Sequence, residues 1–547
     1  MTDTNIKKGD VVEVDITDLN NIGNGVGRID GKVVFVRGAV SGDRVKAKII
    51  KVNKSFFVAR LEEILSFSNE REDGFCYTPL SCGGCVYRHI KYSHELELKY
   101  NYVKNAFLKA GIEDAVILPV LSAGREKSYR NKGQYPLAKI KGKTVAGFYA
   151  AKTHNVVPAE NCAIQNPAFA DILRLVCEIA DELSWSVYDE ETGRGLLRHV
   201  YLRIGEKTGE IMLCLVINAK ELKGSDILVE RVRANFPAVV SIMLNFNFED
   251  TNVVLGDKYK ILYGKGGIED ELCGLRFFIS PDSFYQVNRN GAELLYNKAR
   301  EMADLSGNEV IADLYCGTGT IGLSMAKNVR KLFGIEIVEG AVECARENAR
   351  CNGIENAKFV CGDASDRENI LSLMDGQVPD VVIMDPPRKG STKELADILS
   401  DLGIKKIVYI SCSPDTLARD AVYFIEKGYE MSEVQPVDMF PRSGHVESVC
   451  LLSKLNTKQH IEINLDMDEM DLTDAEKKAT YQKIKDYVLE HSGLKVSSLY
   501  IAQVKQTCGI IERENYNKPK SEDAKQPQCP PDKEKAIKEA LKHFGMI

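Results

Sequence analysis

The chain has 547 residues, of which 44% are hydrophobic and 28% charged, and its formal net charge is −7. A chain of this length is too long for one hydrophobic core, so we expect three or four domains of a globular protein. No apolar run reaches the roughly 18 residues of a membrane helix, and the polar start Met-Thr-Asp-Thr-Asn has no secretory signal. We therefore expect a cytoplasmic protein that is not bound to a membrane. Its 15 cysteines then lie in a reducing compartment, where metal binding or catalysis is expected before disulfides.

Residues 1–64 have the pattern of a small β-barrel. Short runs of alternating apolar residues, such as residues 11–14, 33–36 and 57–61, are separated by Gly, Asp and Asn, which end strands and form turns. The Lys-Gly-Asp of residues 8–10 and the G-x-x-S-G-D-x-V motif of residues 38–45 resemble the TRAM domain, an OB-like barrel that binds RNA. The resemblance implies an RNA-binding barrel at the start of the chain.

A second domain, α/β in class, is expected over residues 65–272, and a cysteine motif interrupts it near its start. Cys76, Cys82 and Cys85 form a C-x5-C-x2-C run, and Cys162 follows farther along the chain. Four thiolates can hold either a [4Fe–4S] cluster or a structural zinc ion. The spacing differs from the C-x3-C-x2-C motif of radical enzymes, so we expect no radical chemistry.

Helix and strand patterns alternate through the rest of this domain. A helix is predicted over residues 93–111, with an apolar stripe that we expect in the core at Leu96, Tyr100, Val103 and Phe107. A second helix is predicted over residues 169–183, and strands are predicted over residues 197–204, 210–216 and 239–246.

The stretch between residues 125 and 152 is strongly basic. It contains eight Lys or Arg residues and one Glu, a net charge of +7, interleaved with Tyr129, Tyr135, Phe148 and Tyr149. Phosphates bind Lys and Arg, and unstacked bases stack on aromatic rings, so this composition suits single-stranded RNA. The alternative is a solvated β-hairpin surface.

Residues 273–455 have the pattern of a Rossmann-like, doubly wound α/β domain. An apolar run at residues 310–314 leads into the turn Gly317-x-Gly319-x-x-Gly322, and a helical pattern follows. The glycines let the backbone approach a bound cofactor where a Cβ would clash. Dinucleotide dehydrogenases and S-adenosylmethionine methyltransferases both have such a turn.

Four polar residues of this domain come at the carboxyl ends of predicted strands. They are Glu336, Asp363, Asp385 and Cys412, whereas Glu447 comes just before the last strand. Open α/β sheets bind ligands at the carboxyl ends of their strands, so we expect a site there. The 23-residue interval from Asp313 to Glu336 suits a carboxylate that accepts hydrogen bonds from ribose hydroxyls.

The last segment, residues 456–547, differs in composition from the rest. An acidic stretch at residues 466–471 precedes predicted helical segments at residues 473–490, 497–504 and 533–544. Two helices joined across Ser492-Gly493 are compatible with a helix-turn-helix-like module that contacts nucleic acid. A packing or protein-contact extension is the alternative, and the role of this small helical extension stays open.

Four motifs together resemble the RNA uracil-5-methyltransferase family. They are Gln286-Val-Asn288, Asp385-Pro-Pro-Arg, Ser411-Cys412-Ser-Pro and His445-Val-Glu447, and with the barrel and the cysteines the resemblance covers residues 6–455. Within the family the chain resembles the bacterial 23S rRNA branch, which has a TRAM domain and an iron–sulfur cluster. The resemblance implies S-adenosylmethionine as methyl donor and a [4Fe–4S] cluster on Cys76, Cys82, Cys85 and Cys162.

The resemblance implies Cys412 as the nucleophile and Glu447 as the base. A thiolate that adds to C6 of uracil makes C5 nucleophilic, and a base must then remove the C5 proton to release the thiol. Backbone N–H groups at the turn are expected to lower the pKa of Cys412. His445 is expected to position the loop that carries Glu447. The cofactor residues are expected to be Gln286, Tyr315, Gly317, Gly319, Glu336, Asp363 and Asp385.

The partner expected from this resemblance is RNA, with 23S rRNA as substrate and the protein as a monomer. The target uridine must be flipped or lie in a loop, because a duplex hides C5 and C6. A tRNA target is one alternative, and a non-catalytic RNA-binding ribosome-assembly factor is another. A dehydrogenase is a third alternative, but it has no use for the Cys412–Glu447 pair. The remaining cysteines of the domain are expected to pack in its core: Cys316, Cys344, Cys351 and Cys361.

Overall fold

The structure is a computed structural model that describes residues 6–78, 81–151, 153–374, 376–454, 481–508 and 529–544. It divides into two compact units, Met1–Asn456 and Thr457–Ile547. Among the described residues, no helix combines the length and apolar character needed to cross a membrane.

The first unit begins with a closed five-stranded barrel, which confirms the predicted fold of this segment. Its strands follow the order β1-β2-β3-β5-β4 around the barrel. In chain order they are β1 (Val11–Leu19), β2 (Asn24–Ile29), β3 (Lys32–Arg37), β4 (Arg44–Val52) and β5 (Phe56–Ser66). Alternate residues point inward and form a core that includes Val34, Val36, Val45 and Phe57.

The aspartate of the G-x-x-S-G-D-x-V motif stabilises the end of the barrel. Asp43 is buried, and its carboxylate accepts hydrogen bonds from the backbone N–H of Val40 at 2.6 Å and from the Arg71 guanidinium at 2.6 Å. A buried carboxylate needs such partners. This motif residue therefore joins the β3–β4 loop to the segment that follows the barrel.

A seven-stranded sheet forms the middle of the first unit, with the strand order β13-β12-β11-β10-β7-β8-β9. Helices α2 and α3 cover one face of it, where a core including Phe169, Ile172, Leu213 and Leu228 lies. The elements in chain order are α1 (Tyr92–Lys109), β6 (Leu121–Ser122), β7 (Lys132–Ile140), β8 (Lys143–Tyr149), β9 (Val156–Pro158), α2 (Ala168–Glu182), β10 (Leu197–Ile204), β11 (Ile211–Ile217), α3 (Ser225–Asn235), β12 (Val239–Phe246) and β13 (Lys258–Tyr263). The basic stretch thus includes the β7–β8 hairpin.

Helix α1 agrees with its predicted bounds but buries a different face. Val103 and Phe107 are fully buried as expected, whereas Leu96 and Tyr100 are only half-buried. The buried face also contains charged residues, Glu95 and Lys99. Their partners lie in a distant loop that is described below with the site.

The last part of the first unit is a doubly wound α/β sheet of eight strands, preceded by a two-stranded hairpin. The sheet order is β18-β17-β16-β19-β20-β22-β21-β6, in which the first five strands are parallel and β22 runs antiparallel to β20. The elements are β14 (Ile268–Leu272), β15 (Leu275–Ile279), α4 (Arg289–Ala303), β16 (Val310–Leu314), α5 (Thr320–Met325), β17 (Lys331–Glu336), α6 (Glu339–Cys351), β18 (Ala357–Cys361), α7 (Arg367–Leu373), β19 (Val381–Met384), α8 (Lys393–Asp401), β20 (Lys406–Ser411), α9 (Pro414–Glu426), β21 (Glu430–Asp438) and β22 (Glu447–Ser453).

The expectation that four cysteines pack in this core is wrong for two of them. Cys316 is buried and Cys344 is half-buried, but Cys351 and Cys361 are exposed. Cys351 is the last residue of α6, and Cys361 is the last residue of the edge strand β18. Positions at the ends of elements leave the core even where the apolar pattern continues through them.

The described residues of the second unit form three helices, α10 (Tyr481–Ser492), α11 (Ser498–Thr507) and α12 (Pro531–His543). They share a small core that includes Ile484, Val488, Ile501, Ile537 and Leu541. The acidic stretch at residues 466–471, the first part of the helix predicted from residue 473, and residues 518–528 lie outside the described residues.

Candidate active site

Three side chains expected to act together lie at the same edge of the eight-stranded sheet. Asp385 follows β19, and Cys412 follows the neighbouring strand β20. Glu447 is the first residue of β22, which pairs antiparallel with β20 so that Ser448 lies opposite Ser411. Because β22 runs in the opposite direction, its start meets the carboxyl end of β20. The antiparallel pairing therefore brings Glu447 beside Cys412.

The three groups interact electrostatically, and burial is the largest cause of the raised pKa of each. The pKa of Cys412 is raised to about 11, chiefly by burial and then by the carboxyls of Glu447 and Asp385. The Arg388 guanidinium acts in the opposite direction and lowers it. Burial and then Asp385 raise the pKa of Glu447 to about 8, and burial raises that of Asp385 to about 7. The expectation of a lowered thiol pKa at Cys412 is thus wrong, since burial and two nearby carboxyls outweigh the backbone N–H groups of the turn.

The glycine turn after β16 has the backbone conformation that its sequence predicts. Gly317 has a φ of +53° and Gly319 a φ of +82°, values that other residues adopt only with strain. The carboxylate of Glu336, at the end of β17, accepts a hydrogen bond from Gly317 N–H at 3.1 Å. Asp313 is fully buried and accepts from Gly322 N–H at 2.8 Å. Two carboxylates therefore fix the turn from opposite ends.

Tyr315, Asp363 and Gln286 surround this turn. Tyr315 has a φ of +68°, and its hydroxyl lies within hydrogen-bonding reach of the Ser365 side chain. Asp363 accepts from Ser365 N–H at 2.8 Å, so that part of its carboxylate stabilises its own loop. The side chain of Gln286 reaches the hydroxyl of the buried Tyr296. All seven expected cofactor residues thus come from the carboxyl end of the sheet and the segment before α4.

Exposed apolar side chains beside these residues were missed in the sequence. Ile337 and Val338, which directly follow Glu336, are 66% and 57% exposed, and Phe284 is 65% exposed. Large apolar residues at a concave site form surfaces for flat, apolar ligand groups. The sequence signal that could have revealed them is Glu336 at the end of a strand, followed directly by the two apolar residues Ile337 and Val338.

Arg442 was also missed, and it holds the loop that leads to Glu447. It is 1% exposed, with a φ of +70°, and its guanidinium donates to Glu72 at 2.8 Å and to Ile90 O at 2.5 Å. The guanidinium also stacks over the Phe75 ring at 4.2 Å. No local pattern signals this role, because the partners lie more than 300 residues earlier in the chain.

A buried ion-pair network fixes the other end of the same loop. Lys99 on α1 donates to Glu95 and to Asp438, each at 2.7 Å, and all three side chains are buried. A Cβ on Gly444 would come within 1.6 Å of Asn21 O in the barrel, so only glycine fits at this approach. The loop of residues 438–446 is thus held by α1, the barrel and the cysteine segment.

The four expected cysteine ligands lie together. Cys76, Cys85 and Cys162 pack around a small core containing Phe75, and all four cysteines are half-buried. Burial and the other three thiols raise the pKa of Cys85 to about 12, which requires their proximity. Cys82 is near enough to raise the pKa of both Cys85 and Cys162.

Backbone N–H groups lie at two of these four thiols. Backbone N–H groups of Thr78 and Ala163 lie at the Cys76 sulfur, and those of Ile164 and Gln165 lie at the Cys162 sulfur. Hydrogen bonds to sulfur are a general feature of iron–sulfur sites. Within the described part of the chain, no three His, Cys, Asp or Glu side chains are arranged to hold a single metal ion.

Two family models match the chain. The TRAM domain model matches residues 6–61, which form the barrel. The tRNA (uracil-5-)-methyltransferase model matches residues 257–455. This range contains seven of the eight strands of the sheet, all but β6, and it contains all of the residues at the carboxyl edge.

Known relatives match beyond these two regions. An uncharacterized RNA methyltransferase of Caldanaerobacter subterraneus is 42% identical over 450 residues, which are 82% of this chain and 99% of the relative. One of Halalkalibacterium halodurans is 40% identical over 454 residues, covering 82% of this chain and 98% of the relative. The crystal structure of a Pyrococcus abyssi tRNA (uracil-54, C5)-methyltransferase with S-adenosyl-L-homocysteine is 27% identical, with a TM-score of 0.66, and covers 81% of this chain and 100% of that one. These matches show that the chain belongs to the RNA uracil-5-methyltransferase family and is an S-adenosylmethionine-dependent RNA (uracil-5-)-methyltransferase with an N-terminal TRAM domain.

Proposed function

We propose that the enzyme forms 5-methyluridine in 23S ribosomal RNA by covalent catalysis, with Cys412 as nucleophile and Glu447 as base. The observation that carries this proposal is the antiparallel pairing of β22 with β20, which brings these two side chains to one edge of the sheet.

In the first step the Cys412 thiolate attacks C6 of the flipped uracil. A carbon–sulfur bond forms, and the electron pair of the C5–C6 double bond moves to C5 and the C4 carbonyl as an enolate. With a pKa of about 11, Cys412 is a thiol at neutral pH. The Arg388 guanidinium lowers this pKa, so it favours the thiolate.

In the second step C5 attacks the donor's methyl group, and the methyl–sulfur bond of the donor breaks. S-adenosylmethionine supplies an electrophilic methyl group that leaves a neutral thioether behind. Glu447 then takes the proton from C5, the electron pair re-forms the C5–C6 double bond, and the Cys412 thiolate leaves. Glu447 needs to be ionised for this step, and its pKa of about 8 makes it a stronger base than an exposed carboxylate.

The glycine turn fits the donor. A Cβ added to Gly317 would meet no atom within 4 Å, so this glycine borders open space in which the amino acid part of the donor would lie. Tyr315 and Gly319 would complete this end of the site, and Glu336 would accept hydrogen bonds from the ribose hydroxyls. Asp363 would meet the adenine amino group, with Ile337 against the adenine ring. Gln286 and Asp385 would lie between the donor and the target base.

The cysteine group would hold a [4Fe–4S] cluster through Cys76, Cys82, Cys85 and Cys162. Methyl transfer needs no electron transfer, so the cluster is assigned a structural or RNA-positioning role. Protein purified without oxygen should be brown and contain about four iron atoms per chain, and Cys85→Ser should lose both colour and iron. A colourless protein with one zinc ion per chain would contradict the cluster.

Transfer RNA is the second candidate substrate, because the Pyrococcus abyssi enzyme, whose whole length matches this chain, is a tRNA methyltransferase. The 23S target is preferred on the TRAM barrel and the four cysteines, which resemble the ribosomal branch. In vitro transcripts of 23S rRNA and of tRNA should be offered separately with labelled methyl donor. Incorporation into the ribosomal transcript supports the proposal, and incorporation into tRNA alone contradicts the substrate but not the chemistry.

The covalent step has its own test. Glu447→Gln should accumulate a complex of RNA with Cys412 that survives denaturing electrophoresis, because the methylated adduct cannot eliminate. Cys412→Ala should form no such complex and incorporate no label. Normal turnover by Glu447→Gln would remove Glu447 from its role, and label incorporation by Cys412→Ala would end the mechanism.

A further inference from the structure

Among the described residues, some cations of the basic stretch are paired with carboxylates, whereas Lys132 is not. Arg125 pairs with Glu206 at 3.0 Å, and Lys139 pairs with Asp181 at 2.5 Å. These cations are neutralised within the protein. Lys132, at the start of β7, has no carboxylate within ion-pair distance in the described part of the chain, although its side chain is half-buried.

Lys132 is surrounded by other cations. It lies directly opposite Arg203 of β10 in the sheet, and Arg130 precedes it by two residues. Like charges at directly opposite positions of neighbouring strands destabilise a sheet, and a half-buried charge without a partner costs further free energy. Burial, Arg203 and then Arg130 lower the pKa of Lys132 to about 8. The fold thus carries an unfavourable arrangement at this position.

The neighbours of Lys132 contain buried polar atoms without partners. Arg203 is fully buried, with N–H groups that donate to Ser283 O at 3.1 Å and to Tyr285 O at 2.5 Å, but its Nε has no acceptor. Asn131, also fully buried, donates from Nδ2 to Gln286 O at 2.9 Å, while its Oδ1 has no partner. Arg203 and Asn131, the neighbours of Lys132, are therefore hydrogen-bonded to main-chain oxygens of the segment that contains Gln286.

We propose that Lys132 and Arg130 form an anion subsite that binds one backbone phosphate of the RNA next to the target uridine. Arg203 lies too deep to touch RNA, and it acts by keeping the subsite positive. This inference rests on the proposed function, since it takes the flipped uridine to lie at Gln286 and Cys412. An enzyme that takes a base out of its stack must hold the flanking backbone, and Lys and Arg are the side chains that bind phosphates.

A phosphate at this position explains why the unfavourable arrangement persists. The RNA supplies the negative charge that the protein lacks, so the cost carried by the free enzyme is relieved on binding. Strained or frustrated polar groups are characteristic of binding sites for this reason. Loss of the Lys132 charge should accordingly weaken RNA binding without weakening the fold.

The test compares Lys132→Met with Lys139→Met, which removes the same charge from an ion-paired position of the same strand. Binding of a fluorescein-labelled single-stranded dodecamer of uridines is followed by anisotropy between 50 and 200 mM KCl, and Tm is measured without RNA. Lys132→Met should lose about 3- to 10-fold in affinity, with a salt slope smaller by about 0.7, as expected for one single-stranded phosphate contact. Its Tm should equal or exceed that of the wild type. Lys139→Met should keep its affinity within about twofold and should not gain stability.

Lys132→Arg should restore affinity, which separates the loss of a charge from a loss of packing. Unchanged RNA affinity and salt slope in Lys132→Met would overturn the subsite. A Tm below that of the wild type would also overturn it, because a weakened fold would then explain the weaker RNA binding. Weaker binding of S-adenosylmethionine with unchanged RNA affinity, measured by calorimetry, would assign the subsite to the donor's carboxylate and also overturn the proposal. Because these are binding measurements, they stand apart from covalent complex formation by Cys412, whose failure would affect the proposed function instead.

Discussion

Replacement of Glu447 by glutamine should stabilise the enzyme, and the gain should depend on pH. Glu447 is 6% exposed, and burial followed by the Asp385 carboxyl raises its pKa from 4.5 to about 8. Below pH 4.5 the carboxyl is neutral in both the folded and the unfolded chain, so it costs nothing. Between pH 4.5 and about 8 the unfolded chain ionises while the folded chain does not, and the folded state loses stability as the pH rises.

The size of the effect follows from the pKa difference. One pKa unit corresponds to about 1.4 kcal/mol, so the interval from 4.5 to pH 7 costs the folded wild type about 3 kcal/mol. Glutamine keeps the shape of the side chain and cannot ionise. At about 2 °C per kcal/mol for a large domain, the melting temperature of Glu447→Gln should exceed that of the wild type by about 6 °C at pH 7.

The assay is thermal unfolding of both proteins at pH 5, 6, 7 and 8 in buffers of equal ionic strength. The difference in Tm should be small at pH 5, about 2 °C, and should grow to pH 8. Glu430→Gln, which removes an exposed carboxylate at the start of β21, serves as the control and should change Tm little at any pH. A variant less stable than the wild type at pH 7, or a difference that is the same at pH 5 and pH 8, would refute the assigned burial of this carboxyl.

Three further predictions concern other parts of the site. The single-turnover methylation rate should rise steeply between pH 6.5 and 9, because the thiolate fraction of Cys412, whose pKa is about 11, increases about tenfold per pH unit; a flat profile would contradict this. Arg442→Met should cost about 1–3 kcal/mol of folding free energy, since it removes the hydrogen bonds that the buried guanidinium donates to the Ile90 carbonyl and to Glu72; an unchanged urea midpoint would refute it. Gly319→Ala should raise the KM for S-adenosylmethionine, because an alanine is strained at a φ of +82° and the turn would shift. The control Gly340→Ala should not, since it lies on an exposed helical turn with no atom within 4 Å of the new Cβ. Equal effects of the two substitutions would contradict the role of the turn.

The parts of the site that follow from local patterns could be predicted from the sequence. The alternation of apolar runs and helical segments gave the doubly wound domain, and the ends of its strands gave the location of Asp385 and Cys412. The position of Glu447 beside them depends on a strand that reverses direction, which periodicity cannot reveal. Only the resemblance to a family linked Glu447 to Cys412 in advance.

Properties that arise from tertiary contacts were predicted poorly. The raised pKa of Cys412 comes from burial and from two carboxyls on other loops, and a local reading of its turn gave the opposite direction. Glu95 and Lys99 lie on the buried face of α1 because Asp438, far along the chain, completes their charge network. An amphipathic pattern assigns charged residues to the solvent side, so it fails where charges are paired in the interior.

The anchoring of the loop before Glu447 has a consequence for how the enzyme becomes active as it folds. The hydrogen bonds of Arg442 with Glu95 and Glu72 join residues separated by 347 and 370 positions in sequence. Contacts of such high sequence separation form late, because a long intervening chain must be ordered first. Residues 273–455 expressed alone should therefore retain the glycine turn and lose the orientation of Glu447. Methylation activity would then report that the first and last quarters of this unit have come together.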